Sequence, residues 1–417
     1  MQRIIYKIIF FLLVFFQTLF PQLEFVIASS LFCLFLLFVE QKLLLSVTLL
    51  NVILVLSMIF ILGIVIGIFH NHTYYDIIRD ITHFSKPIIV IITGYLLAQK
   101  INSSKFIIKT IIYTASLMAI SHLYKIFFGD LNAISVSEIR RVGGADSFIE
   151  LFALILFFFQ KRYNYFKVFN SKTASRFMFL LILISSFLYF SRTMILGFFI
   201  LYISLMGYTK LTEKAIKYIT LFLIIFGVFY SYLFTLELDS ESPGIQNLFY
   251  KIRNAPAEVF SSPKSYNPRD HKEIFDHWRA YEAGMALEQM EYNILNYVWG
   301  KGFGALIDLK FKAPIGGENG LRYIPHLHNG YVYIFFKTGI LGLFLYLFML
   351  LSLYRQVYIS ANNDNHTILL RLISGTALYF IFTSLVITGI YNLQDISVLI
   401  LGIFLYLARK ESNTVTV

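Results

Sequence analysis

The feature that most constrains this chain is a series of long apolar runs separated by short polar loops. The runs lie near residues 5–20, 25–39, 43–69, 84–99, 106–128, 147–160, 177–190, 193–209, 218–236, 330–353, 371–391 and 396–408. A helix needs about 20 mostly apolar residues to cross a bilayer, or somewhat fewer where flanking side chains reach the interface. Charged residues make up only 14% of the 417 residues, whereas soluble domains have about a quarter. The sequence predicts an all-α polytopic membrane protein with about twelve transmembrane helices.

The run over residues 177–209 is too long for one span, and we expect it to form a helical hairpin. Ser191 and Arg192 lie near its middle. A single helix would bury the Arg192 guanidinium in hydrocarbon at a high energetic cost. A hairpin instead places Arg192 at a membrane surface.

Basic residues in the short loops predict the orientation. The loop over residues 161–176 contains five Lys or Arg residues and no acid. The same side carries Lys100, Lys105, Lys109, Lys210, Lys214, Lys217, Arg409 and Lys410. By the positive-inside rule this side is cytoplasmic and holds both chain termini. The non-cytoplasmic side then carries residues 70–83, 129–146, the Arg192 turn and residues 237–329.

This topology divides the chain into three parts. Residues 1–236 contain transmembrane helices 1–9, residues 237–329 form one large non-cytoplasmic loop, and residues 330–417 contain helices 10–12 and a cytoplasmic tail. Loops as long as this one are usually functional or disordered. Trp278, Tyr281 and Met285 recur at helical spacing, so we expect the loop to be partly helical, with at least one amphipathic helix.

Several arginines gather on the non-cytoplasmic side, where orientation does not require them. They are Arg140, Arg141, Arg192, Arg279 and Arg322. Guanidinium groups present fixed, bidentate donors that suit phosphate oxygens, so this set would suit a lipid-linked diphosphate. The alternative is that each arginine reaches for the interface or pairs with a nearby acid. For Arg192 a local pair is not available, because no acid lies within fifteen residues on either side.

Two histidines stand directly before an apolar run, in the segment Pro325-His326-Leu327-His328-Asn329-Gly330. Imidazole accepts a proton near neutral pH, so either histidine could activate a hydroxyl nucleophile. No metal site is predicted, because no nearby Cys, His or carboxylate completes a ligand set at familiar spacing. The alternative is an interfacial histidine beside a helix cap, a role that suits Asn329.

Other patterns are weaker. Two glycine pairs predict close helix packing rather than a ligand site: Gly63 with Gly67, and Gly339 with Gly342. The segment Gly300-Lys301-Gly302-Phe303-Gly304 lacks the GxxxxGK[ST] pattern, so no nucleotide site is predicted. We expect Arg79, Asp80 and His83 to pair with one another.

Four motifs occur in a fixed order along the chain. They are Arg141-Val142-Gly143-Gly144; Ser191-Arg192-Thr193; Trp278-Arg279-Ala280-Tyr281-Glu282-Ala283-Gly284 followed by Trp299-Gly300-Lys301-Gly302-Phe303-Gly304; and His326-Leu327-His328-Asn329 continuing to Lys337-Thr338-Gly339-Ile340-Leu341-Gly342. Each motif is short. Their order, the topology and the large loop together make the chain resemble the O-antigen ligase/polymerase superfamily of bacterial surface-polysaccharide assembly over most of its length.

The resemblance implies a GT-C-like fold and a metal-independent, inverting glycosyltransferase that uses no cofactor. The donor would be an undecaprenyl-diphosphate-linked glycan. The acceptor would be lipid A-core for a ligase, which we favour, or a second lipid-linked glycan for a repeat-unit polymerase. The protein would lie among the lipids of the bacterial inner membrane with its active site facing the periplasm.

The resemblance also implies roles for individual residues. His328, the histidine before asparagine, would deprotonate or orient the acceptor hydroxyl, with His326 as the second candidate beside Asn329. Arg192 and Arg279 would bind the diphosphate and stabilise its departing charge. The remaining candidates for the diphosphate are Arg141 or Arg140, which the sequence does not separate, and Arg322.

Two functions of other classes compete with glycan transfer. A polysaccharide flippase or other transporter could also have twelve spans, but transporters keep charged or broken-helix sites near the bilayer midplane. A membrane scaffold would give no reason for Arg192. The net charge of +11 lies mostly in the short loops, where it indicates orientation, so we expect no nucleic-acid partner.

Overall fold

The computed structural model describes residues 2–38, 45–128, 147–238, 246, 249–250, 252–254, 277–313 and 320–413. The described helices are α1 (Gln2–Leu19), α2 (Leu23–Phe38), α3 (Val47–Phe69), α4 (Tyr74–Ile101), α5 (Ser104–Phe128), α6 (Phe148–Phe159), α7 (Lys172–Leu188), α8 (Arg192–Met206), α9 (Glu213–Leu233), α10 (Trp278–Met290), α11 (Ile294–Trp299), α12 (Gly330–Tyr354), α13 (Asp364–Val386) and α14 (Ser397–Asn413). Each predicted apolar run therefore contains a helix, and the chain is a mostly helical, multi-pass membrane protein.

Six helices in the described ranges are long and apolar enough to cross a membrane. They are Val47–Phe69, Tyr74–Ile101, Ser104–Phe128, Glu213–Leu233, Gly330–Tyr358 and Asp364–Val386. The remaining helices over apolar runs are shorter or less apolar, so the count of twelve spans stays a prediction. Length alone does not set a span, because short helices are accommodated by bilayer thinning.

The predicted break within the run over residues 177–209 is confirmed. Helix α7 ends at Leu188 and α8 begins at Arg192. The side chain of Ser191 caps α8 by accepting a hydrogen bond from the Met194 amide at 3.3 Å, a role for which serine is among the best residues. Arg192 thus lies in the first turn of α8, at one end of the bundle.

Helix α4 begins ten residues before the predicted run, which started at residue 84, so most of residues 70–83 is helix rather than loop. The Thr73 side chain accepts a hydrogen bond from the Asp76 amide and caps the helix. Apolar pattern alone missed this start because the first turns of α4 are polar. Asp80 and His83 are nevertheless buried there, so other parts of the chain must satisfy them.

The two ends of the bundle differ. At one end, polar contacts tie the basic loops together: the Arg371 guanidinium donates to the Leu205 carbonyl, and the Asn362 amide donates to the Ser412 carbonyl. The other end carries residues 70–73, 189–191, 277–313, 320–329 and 387–396, and is called here the loop end. Helix α4 packs against α2 and α14, and α13 packs against α8 and α12.

The large loop contributes α10, α11 and a small antiparallel hairpin of β1 (Ile307–Ala313) and β2 (Leu321–Ile324). The amphipathic helix predicted from Trp278, Tyr281 and Met285 is confirmed as α10, with Tyr281 and Met285 buried. The hairpin is an exception to the predicted all-α class. Its pairing places Asp308 opposite Tyr323, and Ile307 opposite Ile324 in the core.

The glycine-rich segment over residues 300–304 fastens this loop to the membrane helices. The Phe303 amide donates to the Gly63 carbonyl at 2.9 Å, and the Gly302 amide donates to the Lys337 carbonyl at 2.9 Å. A Cβ at Gly302 would collide with the backbone of Gly67, and its φ of +76° favours glycine. Close packing at Gly63 and Gly67 was expected from another helix, whereas their close partner is this loop segment.

Candidate active site

A histidine and a buried carboxylate form the centre of the candidate site. Glu282 of α10 is buried, and one of its oxygens, Oε2, lies 2.8 Å from His328 Nδ1 and 3.0 Å from the His328 backbone nitrogen. The His328 side chain is 49% exposed, whereas that of Glu282 is 4% exposed. The buried Glu282 carboxylate therefore holds the Nδ1 edge of the imidazole, and the Nε2 edge faces the exposed side.

The Glu282 contact determines where the proton of neutral His328 lies. An ionised carboxylate only accepts hydrogen bonds, so Nδ1 of His328 carries the hydrogen. Nε2 then has a free lone pair, and it makes no hydrogen bond to any residue in the described ranges. A histidine whose second nitrogen is bound to a carboxylate is the arrangement of a general base held in one orientation.

Arg279 lies on the same helix as Glu282, three residues earlier. Residues three apart in a helix lie on one face, with Cβ atoms about 5–6 Å apart. Arg279 is half-buried, and α10 packs against α12, which begins directly after the histidines. Helix geometry therefore brings Arg279 to within about one turn of the Glu282–His328 pair.

The second histidine has a different set of partners. Nδ1 of His326 lies 3.0 Å from the Tyr333 hydroxyl, which also lies 2.9 Å from Nδ1 of His83. Nε2 of His83 lies 2.8 Å from the Tyr391 carbonyl oxygen. The two imidazole rings approach each other with centroids 4.3 Å apart. Tyr333 and His83 are fully buried, so this cluster joins α4, α12 and the segment before α14.

The expectation that Arg79, Asp80 and His83 pair with one another is wrong. Arg79 forms an ion pair with Asp76 at 2.7 Å. Asp80 instead binds Lys337 of α12 at 2.5 Å and accepts a hydrogen bond from the Gly304 amide at 2.7 Å. Their spacing places the three residues on neighbouring positions of α4, but each side chain binds a different partner, and His83 contacts Tyr333 and Tyr391.

The Lys337–Asp80 ion pair is completely buried, and it also helps to attach the loop to the membrane helices. The Lys337 ammonium also donates to the Ala305 carbonyl at 2.6 Å. Both charged side chains therefore bind the 304–305 backbone as well as each other. A buried ion pair is tolerated better when further hydrogen bonds support it, and here the loop supplies one such bond to each charged side chain.

Arg192 lies apart from this cluster in the described structure. Helix α8 packs against α13, and Gly197 of α8 faces Tyr379 of α13. Helix α13 also contacts α12, through the Tyr331 hydroxyl and the Ile381 carbonyl at 2.8 Å. Arg192 and the histidines thus share the loop end of the bundle, with α13 between their helices.

A cavity of about 230 Å³ adjoins the turn before Arg192. Its lining includes Lys125, His122, Tyr189 and Gln394, together with apolar residues of α1, α5 and α6. The 387–396 segment connects this cavity to the histidines, because Gln394 lines the cavity while Tyr391 contacts His83. The cavity combines one lysine with apolar walls.

The other predicted site residues have separate outcomes. Asn329 caps α12 by accepting hydrogen bonds from the Tyr331 and Val332 amides, both at 3.1 Å, which confirms its predicted capping role. Arg322 lies on β2 and forms a two-pronged ion pair with Asp308 at 2.7 and 2.8 Å. Its hydrogen bonds lower the pKa of the Asp308 carboxyl.

Arg140, Arg141 and the Gly143-Gly144 motif lie outside the described residues. Within the described ranges, no group of three or more His, Cys, Asp or Glu side chains is arranged to hold a metal ion.

Comparison with known families is consistent with this geometry. Residues 177–347 match the family model described as O-antigen ligase. This region is similar to O-antigen ligases. The resemblance to the O-antigen ligase/polymerase superfamily is thereby confirmed, and at the family level it indicates a membrane glycosyltransferase of the ligase or polymerase type. The matched region includes Arg192, Arg279, Glu282, His326 and His328. No curated protein gives a significant match to the chain.

Sequence reasoning missed three participants in this region. Glu282 was visible within the Tyr-Glu-Ala-Gly stretch but received no role, although its i, i+3 spacing from Arg279 was a usable signal. Lys337 is a lone charge in an apolar helix, and a charge in a span is a reason to look for a partner. Tyr333 gave no signal, since a tyrosine in such a helix is ordinary.

Proposed function

We propose that this protein transfers a glycan from undecaprenyl diphosphate to a sugar hydroxyl of an acceptor, with His328 as the general base. The observation that carries the proposal is the contact of His328 Nδ1 with the buried Glu282 carboxylate, inside the region that matches the O-antigen ligase model. It leaves Nε2 free to take a proton at a half-exposed position. Glu282 acts as a positioning residue that also stabilises the imidazolium formed during the reaction.

The reaction is an inverting displacement at the anomeric carbon of the donor sugar. The acceptor oxygen forms a bond to that carbon while its proton passes to His328 Nε2. The bond between the anomeric carbon and the diphosphate oxygen breaks, and its electron pair leaves with undecaprenyl diphosphate. The imidazolium later releases its proton to water. No metal enters these steps, in keeping with what the family resemblance implies.

Arginines stabilise the leaving group in this proposal. Negative charge grows on the diphosphate as the bond breaks, and preorganised guanidinium donors are worth several kcal/mol against such charge. Arg279 has the stronger support, because helix geometry brings it near His328. Arg192 is supported by its place at the loop end beside the cavity with Lys125, which suits a phosphate joined to an apolar chain. Arg140 or Arg141 stays a candidate from the family motif.

Arg322 has less support as a diphosphate ligand, because its guanidinium already binds the Asp308 carboxylate at both contacts. His326 has less support as the base, because its Nδ1 faces a tyrosine hydroxyl and no carboxylate. Both residues were candidates from sequence, and the contacts rank them below Arg279 and His328.

The favoured acceptor is lipid A-core, as for a ligase, with a second lipid-linked glycan as the polymerase alternative. The loop end would face the periplasm of the inner membrane, since the basic loops gather at the opposite end. Both termini would then be cytoplasmic. Residues 237–329 would form a periplasmic domain between the predicted transmembrane segments of residues 1–236 and those of residues 330–417.

Reconstitution tests this proposal. The full-length protein in liposomes would receive a defined undecaprenyl-diphosphate-linked glycan with either lipid A-core or a second lipid-linked glycan. We expect His328→Ala and Arg279→Ala to abolish transfer. Matched controls are His70→Ala, an exposed histidine at the loop end, and Arg355→Ala, an exposed arginine at the opposite end.

The product distinguishes the two reactions of the superfamily. Glycan attached to lipid A-core supports the ligase, and lengthened lipid-linked glycan supports the polymerase. Full activity of both His328→Ala and Arg279→Ala would refute the site, and transport of intact donor without any new glycosidic bond would refute the transferase.

A further inference from the structure

A chain of hydrogen bonds begins at a backbone carbonyl and ends at His326. His83 Nε2 lies 2.8 Å from the Tyr391 carbonyl oxygen. A carbonyl only accepts, so His83 Nε2 is the donor. A second proton on His83 would place a fully buried positive charge near the ammonium groups of Lys86 and Lys337, which is strongly unfavourable. Nδ1 of His83 is therefore an acceptor.

Tyr333 passes this constraint from His83 to His326. Its hydroxyl lies 2.9 Å from His83 Nδ1 and 3.0 Å from His326 Nδ1. The single hydroxyl proton is donated to His83 Nδ1, the acceptor. The hydroxyl oxygen must then accept from His326 Nδ1–H. Nε2 of His326 consequently carries a lone pair and no proton.

This series of hydrogen bonds gives His326 no means of stabilising a positive charge. It ends on a carbonyl that takes up no proton, whereas His328 is bound to a carboxylate. Burial first, and then the nearby His83, Lys337 and Arg79, hold the pKa of His326 well below its usual value of 6.5. The two histidines of this segment therefore differ chemically: His328 can become an imidazolium, and His326 stays a neutral hydrogen-bond acceptor.

Neither Nε2 atom makes a hydrogen bond to a residue in the described ranges. Leu327 between the two histidines is 2% exposed, whereas His326 is partly exposed and His328 is exposed, so both histidines reach the surface although the His326 ring also packs against the buried His83. Two residues of extended chain span about 7 Å. Two imidazoles at this spacing can bind two hydroxyls of one sugar ring.

We propose that His326 is a specificity-determining residue whose Nε2 accepts a hydrogen bond from a second hydroxyl of the acceptor sugar. The inference rests on the proposed function, in which His328 binds the reacting hydroxyl of that sugar. Tyr333 and His83 are positioning residues, since they act only by fixing the His326 tautomer. The substrate class that follows is an acceptor sugar with two free hydroxyls close together.

Two amide substitutions test the roles of the two His326 ring nitrogens separately. His326→Asn keeps a donor near the Nδ1 position, so it can still bind Tyr333 and hold the fold, but it has no acceptor at the Nε2 position. His326→Gln can place its carbonyl oxygen near the Nε2 position. We expect His326→Asn to raise the acceptor KM about tenfold, the scale of one lost neutral hydrogen bond, with kcat within about threefold. His326→Gln should recover part of this loss.

Monodeoxy acceptors test the contact directly. The probe is lipid A-core, together with a series of analogues that each lack one hydroxyl of its terminal sugar. On one analogue the wild type and His326→Asn should have equal acceptor KM within about twofold, because the bonded hydroxyl is already absent. A tenfold penalty that persists on every analogue, or a large fall in kcat at unchanged KM, would overturn the proposal.

Nitrogen NMR of the full-length protein with ¹⁵N-labelled histidine provides a readout that folding alone would not move. We expect His326 to be neutral with its proton on Nδ1, and Tyr333→Phe to remove this preference while leaving the His328 signals unchanged. A proton on His326 Nε2 in the wild type would overturn the proposal. Full activity of His328→Ala would overturn the proposed function itself, and it is measured in a separate variant.

Discussion

The charge of Glu282 can be removed without removing its contacts, which makes Glu282→Gln the most informative substitution. Both hydrogen bonds from His328, from the backbone amide and from Nδ1, end on the same oxygen, Oε2. The carbonyl oxygen of glutamine can occupy that position and accept both. The substitution therefore keeps the orientation of the imidazole and removes the negative charge beside it.

The expected loss follows from Coulomb's law. Opposite unit charges about 4 Å apart attract by about 4 kcal/mol at an effective dielectric constant of about 20. The His328 side chain is 49% exposed, and solvent screening reduces such an attraction, so we take about half of it. Stabilisation of the imidazolium by about 2 kcal/mol corresponds to about a 30-fold decrease in kcat for Glu282→Gln.

The assay is glycan transfer at saturating donor and varied acceptor, with kcat and acceptor KM determined separately. We expect the loss in kcat with acceptor KM nearly unchanged, because the charge acts only when the imidazolium forms. Glu282→Ala should lose more, since the ring is then no longer oriented. The matched control is Glu288→Gln on the same helix, where Glu288 binds Lys310 at 2.6 Å on the surface.

A Glu282→Gln enzyme with wild-type kcat would refute the electrostatic role of Glu282. Equal losses in Glu282→Gln and Glu288→Gln would show that α10 responds to any loss of charge. Loss of a variant from the membrane fraction would indicate a structural effect. For a variant that can be purified, a lowered thermal midpoint would indicate the same effect independently of activity.

Two further predictions concern ion pairs outside the reacting groups. Arg322→Ala should keep transfer activity within about twofold, because exposed pairs contribute little. Arg322 lowers the pKa of the Asp308 carboxyl, so the pair stabilises the folded protein above the unfolded-state pKa of about 3.9 and loses this contribution to stability as pH falls through the lower folded-state pKa. The thermal midpoints of Arg322→Ala and wild type should therefore converge in acid. Asp80→Asn should destabilise the protein by about 3–5 kcal/mol, because it leaves the buried Lys337 charge without its partner. Unfolding in detergent measures this loss, and the double variant with Lys337→Met should be more stable than Asp80→Asn alone.

Apolar patterning predicted the helices well where it was the dominant signal. The break between α7 and α8 was predictable because a buried Arg192 would be costly, and α10 was predictable from three apolar residues at helical spacing. Apolar patterning failed at the start of α4, where polar residues are satisfied by distant partners. Asp80 finds Lys337 and Gly304, which lie more than two hundred residues away in sequence, and no local pattern contains that information.

The site was partly predictable for a similar reason. His328, Arg279 and Asn329 carry chemistry that their residue types announce, so they could be nominated from sequence. Which histidine we propose as the base depended on the partner of each Nδ1 atom. Those partners, Glu282 and Tyr333, are set by the packing of α10 and α12, and tertiary packing is what a single sequence does not display.

The anchoring of the loop explains why the site needs both the membrane helices and the extramembrane segment. Glu282 comes from the loop, but it meets His328 only because residues 300–304 are fixed against α3 and α12. That attachment uses three kinds of contact: backbone hydrogen bonds to Gly63, glycines that permit close approach, and the buried Lys337–Asp80 pair. Since these contacts are separate from the reacting groups, weakening them should lower activity by displacing Glu282 from His328 rather than by altering either residue.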